Sequence, residues 1–170
     1  MKLVKPTLKY GRGFRRAFLE MKKRNEQTIY GVWDIATTAK DYILAAKNHE
    51  RGRDLPKGWV SHSTYWLIEK NMFVGEVQIR HKLSKHLRKI GGHIGYLIRP
   101  SMRKKGYGKK ILALALKKAK RIGINKALVT CDATNIGSKK IIEASGGIFE
   151  KTTNMGRGKP KKLLYWINLS

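Results

Sequence analysis

Six consecutive residues, Arg103-Lys104-Lys105-Gly106-Tyr107-Gly108, have the types and spacing to hold an anion. A strand-like run, His93-Ile94-Gly95-Tyr96-Leu97-Ile98-Arg99-Pro100, precedes them, and a helix-like run, Lys109 to Ile122, follows. A helix N-terminus presents unpaired N–H groups and a partial positive charge, so backbone amides turned inward here suit a phosphate, above all a pyrophosphate. Glycine at two of the six positions keeps Cβ atoms out of the approach. Two other phosphate patterns fail. Gly106-Tyr107-Gly108-Lys109-Lys110-Ile111 lacks the third glycine of a dinucleotide fingerprint, and Gly108-Lys109-Lys110 lacks the Ser or Thr that a P-loop sets on magnesium. The loop therefore points to a nucleotide-type cofactor, but not to a kinase-type or dehydrogenase-type site.

Such a loop needs elements to position it. Gly13 to Arg24 reads as a helix, with Phe14, Ala17, Phe18 and Met21 on one face, and Ile35 to His49 reads as a second. Arg51 to Gly58 is a polar loop. Ser63 to Glu69 and Met72 to His81 read as strands, and the short link Lys70-Asn71 suggests a hairpin. Ser84 to Ile90 is either a short helical turn or a loop. His93 to Arg99 is the next strand, ended by Pro100, which has no N–H to give a ladder. Lys109 to Ile122 is an amphipathic helix, Lys126 to Cys131 a strand of the buried type, and Ile136 to Ala144 a short helix stopped by Gly146-Gly147. Ile148 to Lys151 and Leu163 to Leu169 close the chain as strands. This order predicts a single α/β domain over residues 1–170, built on a mixed sheet.

Composition narrows the function. The 170 residues, 41% of them hydrophobic, suffice for one domain with a core. No apolar run approaches the ~20 residues of a membrane helix, so no membrane association is expected. The N-terminus carries no apolar signal region, and Cys131 is the only cysteine; both lead us to expect a cytoplasmic chain. Histidine spacing and the lone cysteine argue against a metal site. Thirty-eight Lys and Arg against 11 Asp and Glu give a formal net charge of +27. That field attracts polyanions nonspecifically, nucleic acid among them, but the basic residues run from Lys2 to Lys162 rather than forming one reading head. Oligomeric state, monomer or homodimer, is not legible.

The spacing Ile98-Arg99-Pro100-x-x-Arg103-x-x-Gly106-x-Gly108, followed by Asn135-x-x-Ser138 and Gly146-Gly147-Ile148-Phe149-Glu150, resembles the GNAT superfamily of acetyl-CoA-dependent N-acetyltransferases. The resemblance runs from about Gly58 to Leu169. Trp59-Val60, Tyr65-Trp66-Leu67, Ile79-Arg80-His81, Gly91-Gly92-His93-Ile94-Gly95-Tyr96 and Thr130-Cys131-Asp132 are similar to a bacterial subgroup known only as predicted acetyltransferases. It implies the family's splayed central sheet flanked by helices, and acetyl-CoA as cosubstrate with an amine as acceptor. It further implies that the backbone amides of Lys104, Lys105, Gly106, Tyr107, Gly108 and Lys109 cradle the pyrophosphate, with Arg103 ordering the loop. The backbone at Tyr96 and Ile98 would pair with the pantetheine arm like an added strand, with Asn135 bonding the same arm and Ser138 nearby.

Direct acetyl transfer in a ternary complex needs a neutral amine, a polarised thioester and a proton for the thiolate. Many family members carry a tyrosine seven residues beyond the motif's asparagine; here that position is Ile142. Tyr96 and Tyr107 are the candidate replacements; the alternative is that the thiolate takes its proton from solvent or from the ammonium itself. Gly92 stands where some relatives place a glutamate, which leaves Glu76, His81, His93 and Asp132 as candidate bases, with His93 and Glu76 preferred. Asp132 is expected instead to order the loop leading to Asn135. The N-terminal helices and the Ser84–Ile90 segment would form the acceptor wall. Glu20, Glu26, Asp34 and Asp41 are too few and scattered for a polycation pocket. The competing reading is a basic, nucleic-acid- or ribosome-associated module on the same fold with weak or lost catalysis.

Overall fold

β-Branched and aromatic residues run through His62–Glu69 (β2) and Met72–Arg80 (β3). In the computed structural model these two strands form the hairpin from which the sheet extends. Lys70 and Asn71 close it, both at positive φ (45° and 60°), the left-handed pair that lets a two-residue turn follow the strands' twist. The structure describes residues 1–26 and 38–170. Five further strands are β1 (Lys2–Val4), β4 (Ile94–Ile98), β5 (Lys126–Asp132), β6 (Ile148–Thr153) and β7 (Lys162–Asn168). All seven form one sheet in the order β1-β2-β3-β4-β5-β7-β6, and only the β4–β5 pair is parallel.

Among the described residues, four α-helices cover the sheet: α1 (Gly11–Lys23), α2 (Ala39–Glu50), α3 (Tyr107–Arg121) and α4 (Ile136–Glu143). Alternation along the strands assigns their faces. Tyr65, Leu67, Val77, Ile79, Ile94 and Val129 pack with Ile111, Leu112 and Ala115 of α3 and Ile142 of α4. On the opposite face Trp66, Ile68 and Phe73 meet Phe14 and Ala17 of α1 and Tyr42 of α2; Phe14 stacks on Trp66 at 4.8 Å between ring centroids. Thr38 and Asp41 close a capping box at the start of α2, satisfying two backbone donors there.

The expected elements are present, with shifted ends. Helix α1 begins at Gly11 and α3 at Tyr107, each two residues before its expected start. The expected helix Ile35 to His49 is found as Ala39–Glu50; positions 35–37 of that expectation lie outside the described residues. Ser84–Ile90 gives way to a single wide helical turn at Leu87–Gly91. Strand β1 was not expected: three residues are too few for a pattern, and its pairing with Trp66, Leu67 and Ile68 of β2 is a long-range contact.

The feature that positions the site lies between β4 and β5. Ile94 and Val129 alone are in register, and the strands then part. Below that pair the backbones are stapled. His93 N–H donates to Leu128 C=O at 2.7 Å, and Leu128 N–H donates to His93 Nδ1 at 2.9 Å. Thr130 Oγ1 donates to Ile90 C=O at 3.0 Å, and Arg80 reaches the carbonyls of Gly91 and Gly92 at 3.1 Å each. Gly92 makes this approach possible. Its φ is +64°, and a Cβ there would lie 2.4 Å from Leu128 O, a backbone atom. Gly92→Ala should therefore cost about 2–4 kcal/mol, lowering the melting temperature by roughly 5–15 °C in a calorimetric scan. Gly123→Ala, also at positive φ but with nothing within 4 Å, should cost about 1 kcal/mol.

Candidate cofactor and active site

Beyond Ile94, β5 offers no register partner to Tyr96 or Ile98. On the other side of β4, Arg99 N–H donates to Val74 C=O of β3 at 2.9 Å. Because successive peptide groups in a strand point to opposite edges, the N–H groups of Tyr96 and Ile98 face the gap. Ile98 C=O is occupied there, accepting from Arg103 Nε at 3.1 Å.

The wide end of the gap meets the start of α3. Lys104 and Gly106 are both left-handed, with φ of +60° and +77°, a kink that turns successive N–H groups toward one concavity. Gly106 is the N-cap of α3, and no side chain caps the helix, so its first amides are available to an anion. The two glycines of the motif do different jobs. Gly106 supplies the φ, and a Cβ there would meet nothing within 4 Å; at Gly108 a Cβ would fall 2.5 Å from Ile141 Cδ1 of α4. Gly108 thus also lets α3 pack closely on α4. Lys104, Lys105 and Lys109 are exposed, whereas Tyr107 packs against the α3-side core.

Two glutamates tie this loop to α1. Glu20 accepts from Arg99 Nε (2.8 Å), from Ser101 N–H (3.2 Å) and from Ser101 Oγ (2.9 Å). Glu26 takes Arg103 in a two-pronged ion pair. Both carboxyls are held below their usual pKa, chiefly by these guanidinium hydrogen bonds. Arg103 is therefore engaged with Glu26 and Ile98, which fits an ordering role for its guanidinium. Sequence reading missed both glutamates, because no local spacing links them to positions some eighty residues away.

Across the gap, Asn135 caps α4, its Oδ1 accepting from Ser138 N–H at 3.0 Å; its amide NH2 is left to donate. Tyr96 leans from β4 toward α4, and its hydroxyl lies 3.0 Å from Ser138 Oγ. Burial pushes the Tyr96 phenol up to about 12, against the opposing effect of the Ser138 bond. It is a protonated donor at any physiological pH. Cys131, next to it, is buried and pushed up to about 11, first by burial and then by Asp132; it is a packing residue, not a thiolate nucleophile.

The other acid–base candidates are occupied elsewhere. His93 gives its Nδ1 lone pair to Leu128 N–H, so Nε2 carries the proton and neither nitrogen is a free base. Burial, with Arg80 and Arg88, lowers its pKa to about 4. The expectation that His93 is a general base thus yields to its role in stapling β4 to β5. Glu76 is fully buried on the α1–α2 face, its Oε2 accepting from Tyr42 and from Trp66 Nε1 (3.0 Å). The structure does not bring it to the Tyr96–Ser138 side. His81 lies 2.9 Å from Ser63, whose hydroxyl donates to Glu50; the carboxylate takes the serine's proton instead of orienting the imidazole, which is not nucleophile geometry. Asp132 pairs with Lys162 at 2.7 Å. Among the described residues, no group of three or more His, Cys, Asp or Glu is arranged to hold a metal ion, and no helix is long and apolar enough to cross a membrane.

The family profile described as an acetyltransferase (GNAT) domain matches residues 14–148. No curated protein matches the chain. The fold is similar to that of RimL, a ribosomal L7/L12 α-N-protein acetyltransferase seen with coenzyme A (TM-score 0.70, 16% identity, covering 98% of this chain and 92% of that one). It is also similar to the microcin C7 self-immunity acetyltransferase MccE bound to acetyl-CoA and AMP (0.69, 15%, 98% and 91%). A third similar structure is an acetyltransferase from Salmonella typhimurium that modifies the N-terminal serine of L7/L12 (0.65, 13%, 98% and 93%).

His62 and His93, both lowered to about 4, give a pH signature. A histidine with a depressed folded pKa stabilises the fold above its unfolded pKa of about 6.5 and loses that contribution as pH falls toward the folded value. The urea midpoint should be level between about pH 7 and 8, and fall at alkaline pH where the raised Cys131 thiol ionises on unfolding. It should also fall between about pH 6.5 and 4.5, below which the lowered glutamates add their own loss. His93→Asn, which can still accept from Leu128 N–H, should flatten that slope in the same titration.

Proposed function

The chain belongs to the GNAT acetyltransferase family, and from that premise we propose that it moves the acetyl group of acetyl-CoA directly to a primary amine within a ternary complex. The observation that carries this reading is the unpaired edge of β4 at Tyr96 and Ile98, opening onto an uncapped helix whose N-cap is left-handed Gly106. The gap fits a pantetheine arm, which has amides to pair with an open strand edge. The amides of Lys104, Lys105, Gly106, Tyr107, Gly108 and Lys109 would bind the pyrophosphate, with the lysines adding charge. The Asn135 amide would donate to the arm.

When bound, the cosubstrate supplies an activated acyl thioester. The amine nitrogen attacks the carbonyl carbon, the C–S bond breaks, the nitrogen gives up a proton and the thiolate gains one. Ile98 N–H is placed to polarise the carbonyl. Tyr96, held by Ser138, takes the part that a tyrosine at position 142 plays in many relatives. With a phenol near 12 against a thiol near 8.5, full proton transfer from Tyr96 is uphill. Its work is to hydrogen-bond the departing sulfur, while the proton released by the amine balances the reaction. The lone buried cysteine suits a cytoplasmic setting. The +27 surface adds a nonspecific pull on polyanions that would weaken steeply with salt.

Calorimetry with acetyl-CoA tests the reading directly, and no binding at low millimolar cofactor would sink it. Tyr96→Phe should lower kcat about 10-fold or more with little change in the KM for acetyl-CoA, measured as CoA released. Ser138→Ala should give a smaller loss in the same direction.

A further inference from the structure

The way helix α1 ends fixes where Glu26 stands. Asn25 is left-handed, with φ of 51°. Its N–H donates to Lys22 C=O at 3.1 Å, and Glu26 N–H donates to Met21 C=O at 3.1 Å. Together these bonds form the Schellman stop, which closes a helix over one left-handed residue. Upstream, Ala17 and Met21 are buried, and Ala17 belongs to the apolar layer that seats α1 on β2 and β3. Glu20 and Glu26 therefore leave a fixed helix as two arms reaching the loop before α3.

Both arms end on that loop. Glu20 takes Arg99 through Nε and Nη2, and Ser101 through N–H and Oγ. Glu26 takes Arg103 through both Nη atoms, while Arg103 Nε donates to Ile98 C=O. Three of the five guanidinium N–H groups are thus committed, and Arg103 ties Glu26 to the edge of β4 that faces the gap. Charge alone would keep carboxylates away from here, because a pyrophosphate at the uncapped start of α3 is repelled by them. What the two glutamates supply is geometry. They hold residues 99–103, and the course of those residues sets where the amides of Lys104 to Lys109 point.

We propose that Glu20 and Glu26 are positioning residues of the cofactor site. Acting through Arg99, Ser101 and Arg103, they raise the affinity for acetyl-CoA by holding the loop in its binding shape, against the sign of their own charge. This rests on the acetyltransferase reading above. The two effects have opposite signs and can be separated. Were repulsion dominant, neutralising Glu26 would tighten acetyl-CoA by about twofold or more, and the freed Arg103 would tighten it further. With loop order dominant, neutralisation loosens it, because the loop must then be ordered at the moment of binding.

The test is calorimetry of acetyl-CoA with the full chain and with Glu26→Gln, Arg103→Gln and the double variant. Glu26→Gln should raise Kd about 5- to 20-fold, and Arg103→Gln by a similar factor. The double variant should bind no more weakly than the weaker single one, because the two residues act as a unit. In steady state the KM for acetyl-CoA should rise with Kd while kcat changes less than about threefold, a split that general loss of structure would not give. Glu20→Gln should raise Kd in the same direction. It should also speed hydrogen exchange in the free chain at the Ser101 amide, which Glu20 holds at 3.2 Å, by about tenfold or more. Glu50→Gln on α2 removes the same charge away from this loop and should leave Kd within about twofold. A Kd that falls or stays level in Glu26→Gln overturns the proposal. So do simple addition in the double variant, kcat falling as far as KM rises, unchanged exchange at Ser101, or an equal rise of Kd in Glu50→Gln. If the unaltered chain does not bind acetyl-CoA, the acetyltransferase reading falls first and this inference with it; binding that is indifferent to Glu26 sinks this inference alone.

Discussion

His93 and Leu128 exchange two hydrogen bonds, one through the backbone and one through the imidazole, and the opening of the sheet is measured from that point. Parallel strands held along their length would bury the edge of β4; strands not held at all would leave β5 and β7 unattached to the rest of the sheet. One register pair, Ile94 with Val129, plus a staple directly below it gives a gap with a fixed origin. Gly92 permits the approach because its backbone is left-handed and its missing Cβ would stand 2.4 Å from Leu128 O. A position where some relatives carry a glutamate therefore has a structural use in this chain, and the residue beside it is occupied as well.

The same economy governs charge. With 38 basic residues and 11 acidic ones, several carboxylates sit at joints between distant elements. Glu20 and Glu26 bind α1 to the loop before α3, Glu50 binds α2 to Lys5 and Ser63, and Asp132 binds β5 to Lys162. Exposed ion pairs contribute little individually. Glu20, however, takes four donors, two from Arg99 and two from Ser101, and so fixes the course of that turn. The division of labour in the basic loop follows. Arg99 and Arg103 shape it, while Lys104, Lys105 and Lys109 remain exposed with charge to offer a phosphate.

Much of this was legible in the chain. The hairpin at Lys70-Asn71, the amphipathic α3, the strand ending at Pro100 and the glycine turn before α3 all follow from local patterns that act over two to four residues. Strand β1 was not legible, because three residues carry no period and their pairing lies more than sixty positions away. The contact of Gly108 with α4 was not legible for a related reason: glycine in a loop motif and glycine under a packed helix look the same until Ile141 is in place.

What the sequence by itself determined is most of the elements and the glycine-containing turn before α3, since backbone conformation and apolar periodicity are local properties. What only the tertiary structure decided is which polar groups remain open to chemistry. His93 meets Leu128 across 35 residues, Tyr42 meets Glu76 across 34, and Arg103 meets Glu26 across 77. A lone pair or a charge is available or engaged according to such contacts. No spacing along the chain records them, because the energy of a hydrogen bond depends on where its partner lies in space.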